Sequence, residues 1–239
     1  MIRTFLRAAA VLGTVMLAAA PASAQVVHSL NVGGGGFWPR GFDSRVDGDV
    51  LIENLSAADP LLFDIGKFRA GQVFGEWNVA FDSRVEVSGG IGYYQRTVNS
   101  VYRDLVNDNG FEIAQDLKLR MIPVTGIVRF LPVGRTSEFQ PYVGGGLTVV
   151  NWRYSEAGEF VDTTDFSIFA ARYVETSTDV GAVFVLGARV PIDGDIYGLT
   201  LEYRHQWVTG DTGGIDNGFL GDKIDLSGGA FNVGFLIRF

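Results

Sequence analysis

Cysteine is absent from the 239-residue chain, and histidine occurs only twice, at His28 and His205. Basic residues are outnumbered by acidic ones, 19 against 27. The lack of cysteine excludes a disulfide framework and any thiolate metal site. The shortage of Lys and Arg argues against a nucleic-acid partner, because phosphate binding needs clustered cations. Beyond the first two dozen residues there is also no run of ~18 consecutive apolar residues, so no transmembrane helix is expected. Apolar residues are nevertheless plentiful, at 47%. They come in short alternating stretches separated by polar ones.

The start of the chain is the exception. "MIRTFLR" carries Arg3 and Arg7, "AAAVLGTVMLAAA" is uncharged, and Ala22 and Ala24 form an A-x-A arrangement before Gln25. A basic n-region, an apolar h-region and small residues at the cut site make a secretory signal, here residues 1–24, cleaved after Ala24. An uncleaved membrane helix would need ~20 apolar residues, and this run is shorter and ends at a proline. Residues 25–239 then form a single domain. Loss of Arg3 and Arg7 leaves 17 basic residues against 27 acidic, a net charge of −10.

The other end reads "FNVGFLIRF". Phe231, Val233, Phe235, Ile237 and Phe239 fall on one face, and Asn232, Gly234, Leu236 and Arg238 on the other. Alternation with period two is the signature of a strand. The same pattern recurs over roughly 26–38, 71–82, 84–97, 117–131, 139–154, 179–191, 195–208 and 223–239. Eight strands is an even number, as single-chain bacterial membrane barrels have. The polar faces are rich in glycine with a few charges, which suits a narrow lumen, and the apolar faces end in aromatics. Tyr142 and Trp152 share one face of the fifth strand, ten residues apart. At ~3.3 Å per residue and ~40° tilt they would lie about 25 Å apart in height, the spacing of two aromatic girdles. Trp77 with Phe81, and Tyr197 with Trp207, extend that expectation.

The connections alternate between long and short. Long segments at 39–70, 98–116, 155–178 and 209–222 are interleaved with a tight turn near Asp82-Ser83, a short connection through "PVGRTSEF" and the short "PIDGD" turn. Every second turn therefore lies on one side, the arrangement of short periplasmic turns and long extracellular loops. The terminal strand would pair with the first and leave no edge open in lipid. The reading is an all-β, eight-stranded antiparallel transmembrane β-barrel in the cell outer membrane.

With these features in place, the chain resembles the small eight-stranded outer-membrane barrels of the OmpA transmembrane domain, OmpX, OmpW and opacity-protein type. The resemblance rests on "PYVGGGLTVVNW" (141–152), "GLTLEYRH" (198–205) and "NVGFLIRF" (232–239). It implies that Phe239 is an assembly signal read by the barrel-insertion machinery. It also implies contact with outer-membrane lipids and lipopolysaccharide. It is specific to architecture and barely specific to function.

Sites of chemistry are sparse. "RHQW" (204–207) is similar to the pattern of lipid A 3-O-deacylases, but their serine two residues after the histidine is Trp207 here, and their glutamate near position 219 is Phe219. With the nucleophile missing the triad logic fails, and no catalytic residue is assigned. "DSRVDGDVLIEN" (43–54) has Gly48 at the sixth place of a calcium loop, but Arg45 stands at the third and Asn54 at the twelfth. An Asp47-Gly48 turn explains it better. No metal or cofactor is expected. The glycines of "GGGG" (33–36) suit the bend of a small barrel. By alternation Glu76, Glu86, Glu202, Arg129, Arg189, Arg204 and Arg238 face the lumen as a charge network, together with Phe74, Tyr94, Leu147 and Leu236. Trp77, Tyr142, Trp152, Tyr197 and Trp207 are assigned to the aromatic girdle. Such a network is either a structural plug or a narrow path for a small polar solute. The expected role is structural or interactive, as a monomer whose loops meet an extracellular ligand. The alternative is a narrow channel for small or hydrophobic solutes, and lipid A modification ranks third.

Overall fold

The computed structural model describes residues 26–239 apart from 163, 194 and 195, so the signal segment 1–24 lies outside the described residues. Eight long strands follow in order: β1 Val27–Pro39, β2 Ala70–Ala80, β3 Val85–Val106, β4 Glu112–Phe130, β5 Gln140–Val161, β6 Ile168–Asp193, β7 Tyr197–Trp207 and β8 Gly228–Arg238. Each pairs antiparallel with its sequence neighbours, and β1 pairs with both β2 and β8. The sheet closes into an eight-stranded antiparallel barrel. At the seam Gly33 sits opposite Gly234. A Cβ on Gly33 would lie 2.1 Å from the Val233 carbonyl oxygen, and one on Gly35 1.9 Å from that of Phe231, so both must be glycine.

The outward faces carry an apolar belt. Val73 and Trp77 on β2, Ile91 and Tyr93 on β3, Val124, Val128 and Phe130 on β4, and Leu199, Leu201 and Trp207 on β7 are all exposed. In water such a surface would be a liability, whereas in lipid it is the favourable side. On β6 the belt runs from Ile192 to Val180, about 30 Å in height for a tilted strand.

Four strands continue well past the belt at one end. The expected loops 98–116 and 155–178 are mostly strand, and the turns between them shrink to 107–111 and 162–167. The physical reason is a reversal of polarity. Above the belt the outward positions become Gln95, Thr97 and Asn99 on β3 and Arg120, Lys118 and Asp116 on β4, while Val98, Leu117 and Leu119 turn inward and are buried. This part of the barrel is built like a water-soluble protein, so its alternation no longer reads as lipid-facing. The expected last strand also divides: Lys223–Asp225 pairs with Thr209–Asp211, and the barrel strand starts at Gly228.

The connection after β1 folds over this end. It contains a helix, α1 (Val50–Ser56), capped by Asp49, whose carboxylate accepts from the Leu51 and Ile52 amides. Leu61 and Leu62 then pair with Tyr102 and Val101 of β3. At the opposite end the connection from Ala80 to Val85 is tight. In the β2–β3 turn Asp82 accepts from the Val85 amide at 2.7 Å and from that of Arg84, and these bonds hold its carboxyl below the usual range.

Candidate functional site

Inside the belt the lumen holds a compact ionic centre. Arg129 of β4 is 1% exposed and donates through Nη2 to Glu76 of β2 at 2.8 Å and to Glu202 of β7 at 2.9 Å. Its Nη1 donates to Asn78 at 3.0 Å and Ser88 at 2.7 Å. Arg204 bridges Glu202 at 2.7 Å and Glu76 at 2.5 Å. Arg189 of β6 forms a bidentate pair with Glu86 of β3, at 2.6 and 2.7 Å. Three guanidiniums thus face three carboxylates, and all six groups are withdrawn from water. Charges so buried persist only when paired and hydrogen-bonded. Here Arg129 meets Glu76 and Glu202, and Arg189 meets Glu86, on other strands, while Arg204 takes Glu76 together with Glu202 of its own strand.

Tyr142 belongs to this centre. Its hydroxyl donates to Glu202 Oε2 at 3.0 Å, and its ring lies under the Arg129 and Arg189 guanidiniums, 5.3 and 5.0 Å from the centroid. Its assignment to the outer girdle is therefore wrong, as is that of Trp152, which is completely buried. Leu147, expected inside, is 58% exposed on the lipid side. One cause accounts for all three. β5 alternates large residues on both faces, and only its pairing settles which face is which. Leu147 sits opposite Gly126 and Ala182 of the outer surface, and Tyr142 opposite Gly187. Arg238 also faces inward but stands apart from the centre, donating to Gln140 at 2.7 Å.

Above the ionic centre the interior becomes an apolar cap. Trp152, Tyr154, Leu117 and Val98 from the strands pack with Leu51 of α1, Phe68 after it, and Phe219 and Leu226 of the connection before β8. Two polar clasps tie these connections down. Arg45 forms a bidentate pair with Asp49, at 2.7 and 2.8 Å, and also donates to the Asp225 carbonyl. Asp49 in turn accepts from the Asp225 amide at 2.6 Å. Glu156 accepts from Asn54 at 2.6 Å and from the Tyr154 hydroxyl at 2.9 Å. Burial pushes the Glu156 carboxyl up from its ordinary value, against those two hydrogen bonds. The segment 43–54 considered for calcium is thus an ion-paired clasp, with Gly48 in the left-handed turn at φ 77°.

Aromatics mark both rims of the belt. At the short-turn rim the Phe239 ring lies 5.5 Å from Trp77 and 6.4 Å from His28. Trp77 Nε1 donates to His28 Nδ1 at 3.2 Å, and Tyr197 stacks on Phe235. At the other rim Trp38, Tyr203 and Phe231 form one cluster, and His205 packs on Trp207 at 4.5 Å. His205 points outward, with the Tyr203 hydroxyl within 3.2 Å of its Nδ1. Trp38, Tyr203 and Phe231 are outside the girdle assignment, although alternation puts Phe231 on an apolar face and a count along each strand from the belt's end finds all three.

A closed eight-stranded barrel with an apolar belt, aromatic rims and a charged interior is an outer-membrane protein by construction. The chain belongs to the outer membrane protein beta-barrel domain family, whose model matches residues 8–239. No curated relative matches it. Among solved structures it is similar to the attachment invasion locus protein Ail of Yersinia pestis in complex with the heparin analogue sucrose octasulfate, at 10% identity and TM-score 0.42, covering 90% of this chain and 99% of that one. Neisserial surface protein A matches at 13% identity and TM-score 0.41 over 91% and 98% of the two chains. The N-terminal barrel of Pseudomonas aeruginosa OprF matches at 11% and 0.38 over 89% and 97%.

Proposed function

We propose that this outer-membrane barrel is a closed, non-catalytic support that acts through its outer surface and its capped extracellular end. The observation that carries the reading is the filling of the lumen at two successive levels. The ionic centre spans it from β2 to β7, and the apolar cap covers the mouth. The void beside Arg204, lined by Phe74, Gln72, Gln206 and Asn232, measures about 20 Å³. One water needs ~10–15 Å³ by the same measure, so a single water fills it. An eight-stranded barrel is just wide enough for its own side chains, and aqueous channels need ~16 strands.

Single-channel recording on the refolded protein tests this reading. No current is expected from the wild type, and steady current would replace the support reading with the narrow channel. Release of acyl chains from labelled lipid A would replace it with an enzyme.

The export and assembly readings are part of the same proposal. Residues 1–24 act as a cleaved signal, and the barrel-insertion machinery reads Phe239, which is supported by the packing of that ring on His28 and Trp77. The protein works as a monomer in contact with lipopolysaccharide, its long connections facing outward to meet an extracellular ligand. A tag in the Ser83 turn should stay hidden on intact cells, whereas protease should cut near Asp108 or Phe111. Surface labelling of the tag would overturn that topology.

A further inference from the structure

The outer surface carries a concentration of positive charge just where the apolar belt stops. On β4 the outward positions run Val124, Ile122, Arg120, Lys118, passing directly from lipid-facing side chains to two cations. The register places Arg120 opposite Arg153 of β5 on one side and Gln95 of β3 on the other. One rung higher, Lys118 lies opposite Thr97 and Ser155. Three cations therefore share a patch two strands wide, with neighbours ~5 Å apart across strands and ~7 Å along them.

This is an unfavourable arrangement for a protein by itself. Like charges directly opposite each other in a sheet repel, and the chain has an excess of acidic residues with which to neutralise them. It does not do so. Among the described residues, none of Lys118, Arg120 and Arg153 takes part in an ion pair or a side-chain hydrogen bond. Asp116, two residues above Lys118 on β4, is held by Asn99 at 2.6 Å. The Arg120 Nε is buried and has no hydrogen-bond partner. The Nε of Arg129 and of Arg189 is likewise buried without a partner although both guanidiniums are ion-paired, so the sign that the patch lacks an anion is three adjacent cations with no carboxylate among the described residues paired to them.

We propose that Lys118, Arg120 and Arg153, with Gln95 as a neighbouring donor, bind a phosphate of a phosphorylated glycolipid headgroup in the outer leaflet. Depth selects the source. The cations begin one residue pair beyond Ile122, on the outside of the barrel, where the headgroup of a lipid whose acyl chains lie against Val124 and Ile91 would sit. A bound phosphate turns the Arg120–Arg153 repulsion into two attractions and gives the guanidiniums charge-assisted acceptors. The site deepens the lipid contact proposed above and rests on the long-connection end facing the outer leaflet.

The test uses the full refolded barrel in nanodiscs of neutral phospholipid, with added lipid A that is either intact or enzymatically dephosphorylated. The readout is the temperature midpoint of the heat-modifiable gel shift. Intact lipid A should raise the wild-type midpoint, dephosphorylated lipid A should not, and inorganic phosphate should leave it unchanged. The variant Lys118→Gln/Arg120→Gln/Arg153→Gln should lose the increment, and the single exposed change Arg153→Gln should lose part of it, which covers the case of a triple variant that does not refold. Lys118→Arg/Arg153→Lys should retain it. An equal increment with dephosphorylated lipid A, or an undiminished one in the Gln variants, would overturn the site. An equal increment from inorganic phosphate would overturn the lipid as its source. Nanodiscs present lipid A at both rims, so these outcomes do not depend on topology, which the Ser83 tag tests separately.

Discussion

The Tyr142 hydroxyl donates to Glu202 Oε2 at 3.0 Å, and the same oxygen accepts from Arg129 Nη2 at 2.9 Å. One carboxylate thus links β5, β4 and β7 across the lumen. Removing the hydroxyl alone, in Tyr142→Phe, leaves Glu202 short of one donor in a dry site. The expected cost is ~1–3 kcal/mol, read as a lower urea midpoint in the refolded protein.

Arg129 is the hub, since it touches Glu76, Glu202, Asn78 and Ser88 together. Arg129→Ala leaves Glu76 and Glu202 with Arg204 as their shared guanidinium and should cost ~3–5 kcal/mol. Arg204→Ala removes a more exposed group, 13% against 1%, and should cost less. Equal, negligible losses for both variants would mean that water already fills the lumen.

Trp152 is buried in the cap, whereas Trp207 is 43% exposed on the belt. Brominated lipid should therefore quench a protein retaining only Trp207 and leave one retaining only Trp152 bright. Quenching of Trp152 would return it to the outer girdle.

Glu156 links the cap to pH. Its carboxyl is pushed above the ordinary 4.5 by burial and among the described residues has no cationic partner, only Asn54 of α1 and Tyr154 of its own strand, with Tyr102 and Tyr173 facing it from β3 and β6. The folded pKa exceeds the unfolded one, so the stabilisation is complete below pH 4.5 and is lost as pH rises through the folded value. Proteolysis within 50–56 should therefore accelerate over that rise. Glu156→Gln keeps both hydrogen bonds and should abolish the dependence.

Phe239 packs on Trp77 and His28, and its amide donates to the His28 carbonyl at 3.0 Å across the β1–β8 seam. Deleting it should lower the yield of heat-modifiable barrel in cells without reducing export. Assembly at the wild-type level would remove the terminal-signal reading.

The sequence by itself determined the number of strands, their closure and the inward course of Glu76, Glu86, Arg129, Arg189, Glu202 and Arg204. Each follows from alternation on strands whose two faces differ sharply, because lipid and a narrow lumen demand opposite polarity. Tertiary structure decided the rest. On β5 both faces carry large apolar residues, and only hydrogen-bonded register against β4 and β6 put Tyr142 and Trp152 inside and Leu147 outside. The height of the barrel was hidden for a related reason. Beyond Tyr93 and Ile122 the solvent outside changes from lipid to water, so the alternation keeps its period while its polarity reverses, and a pattern read as lipid-facing stops short of where the strands end. Which carboxylate meets which guanidinium is equally a matter of three dimensions, since Arg129 finds Glu76 and Glu202 on strands it does not adjoin.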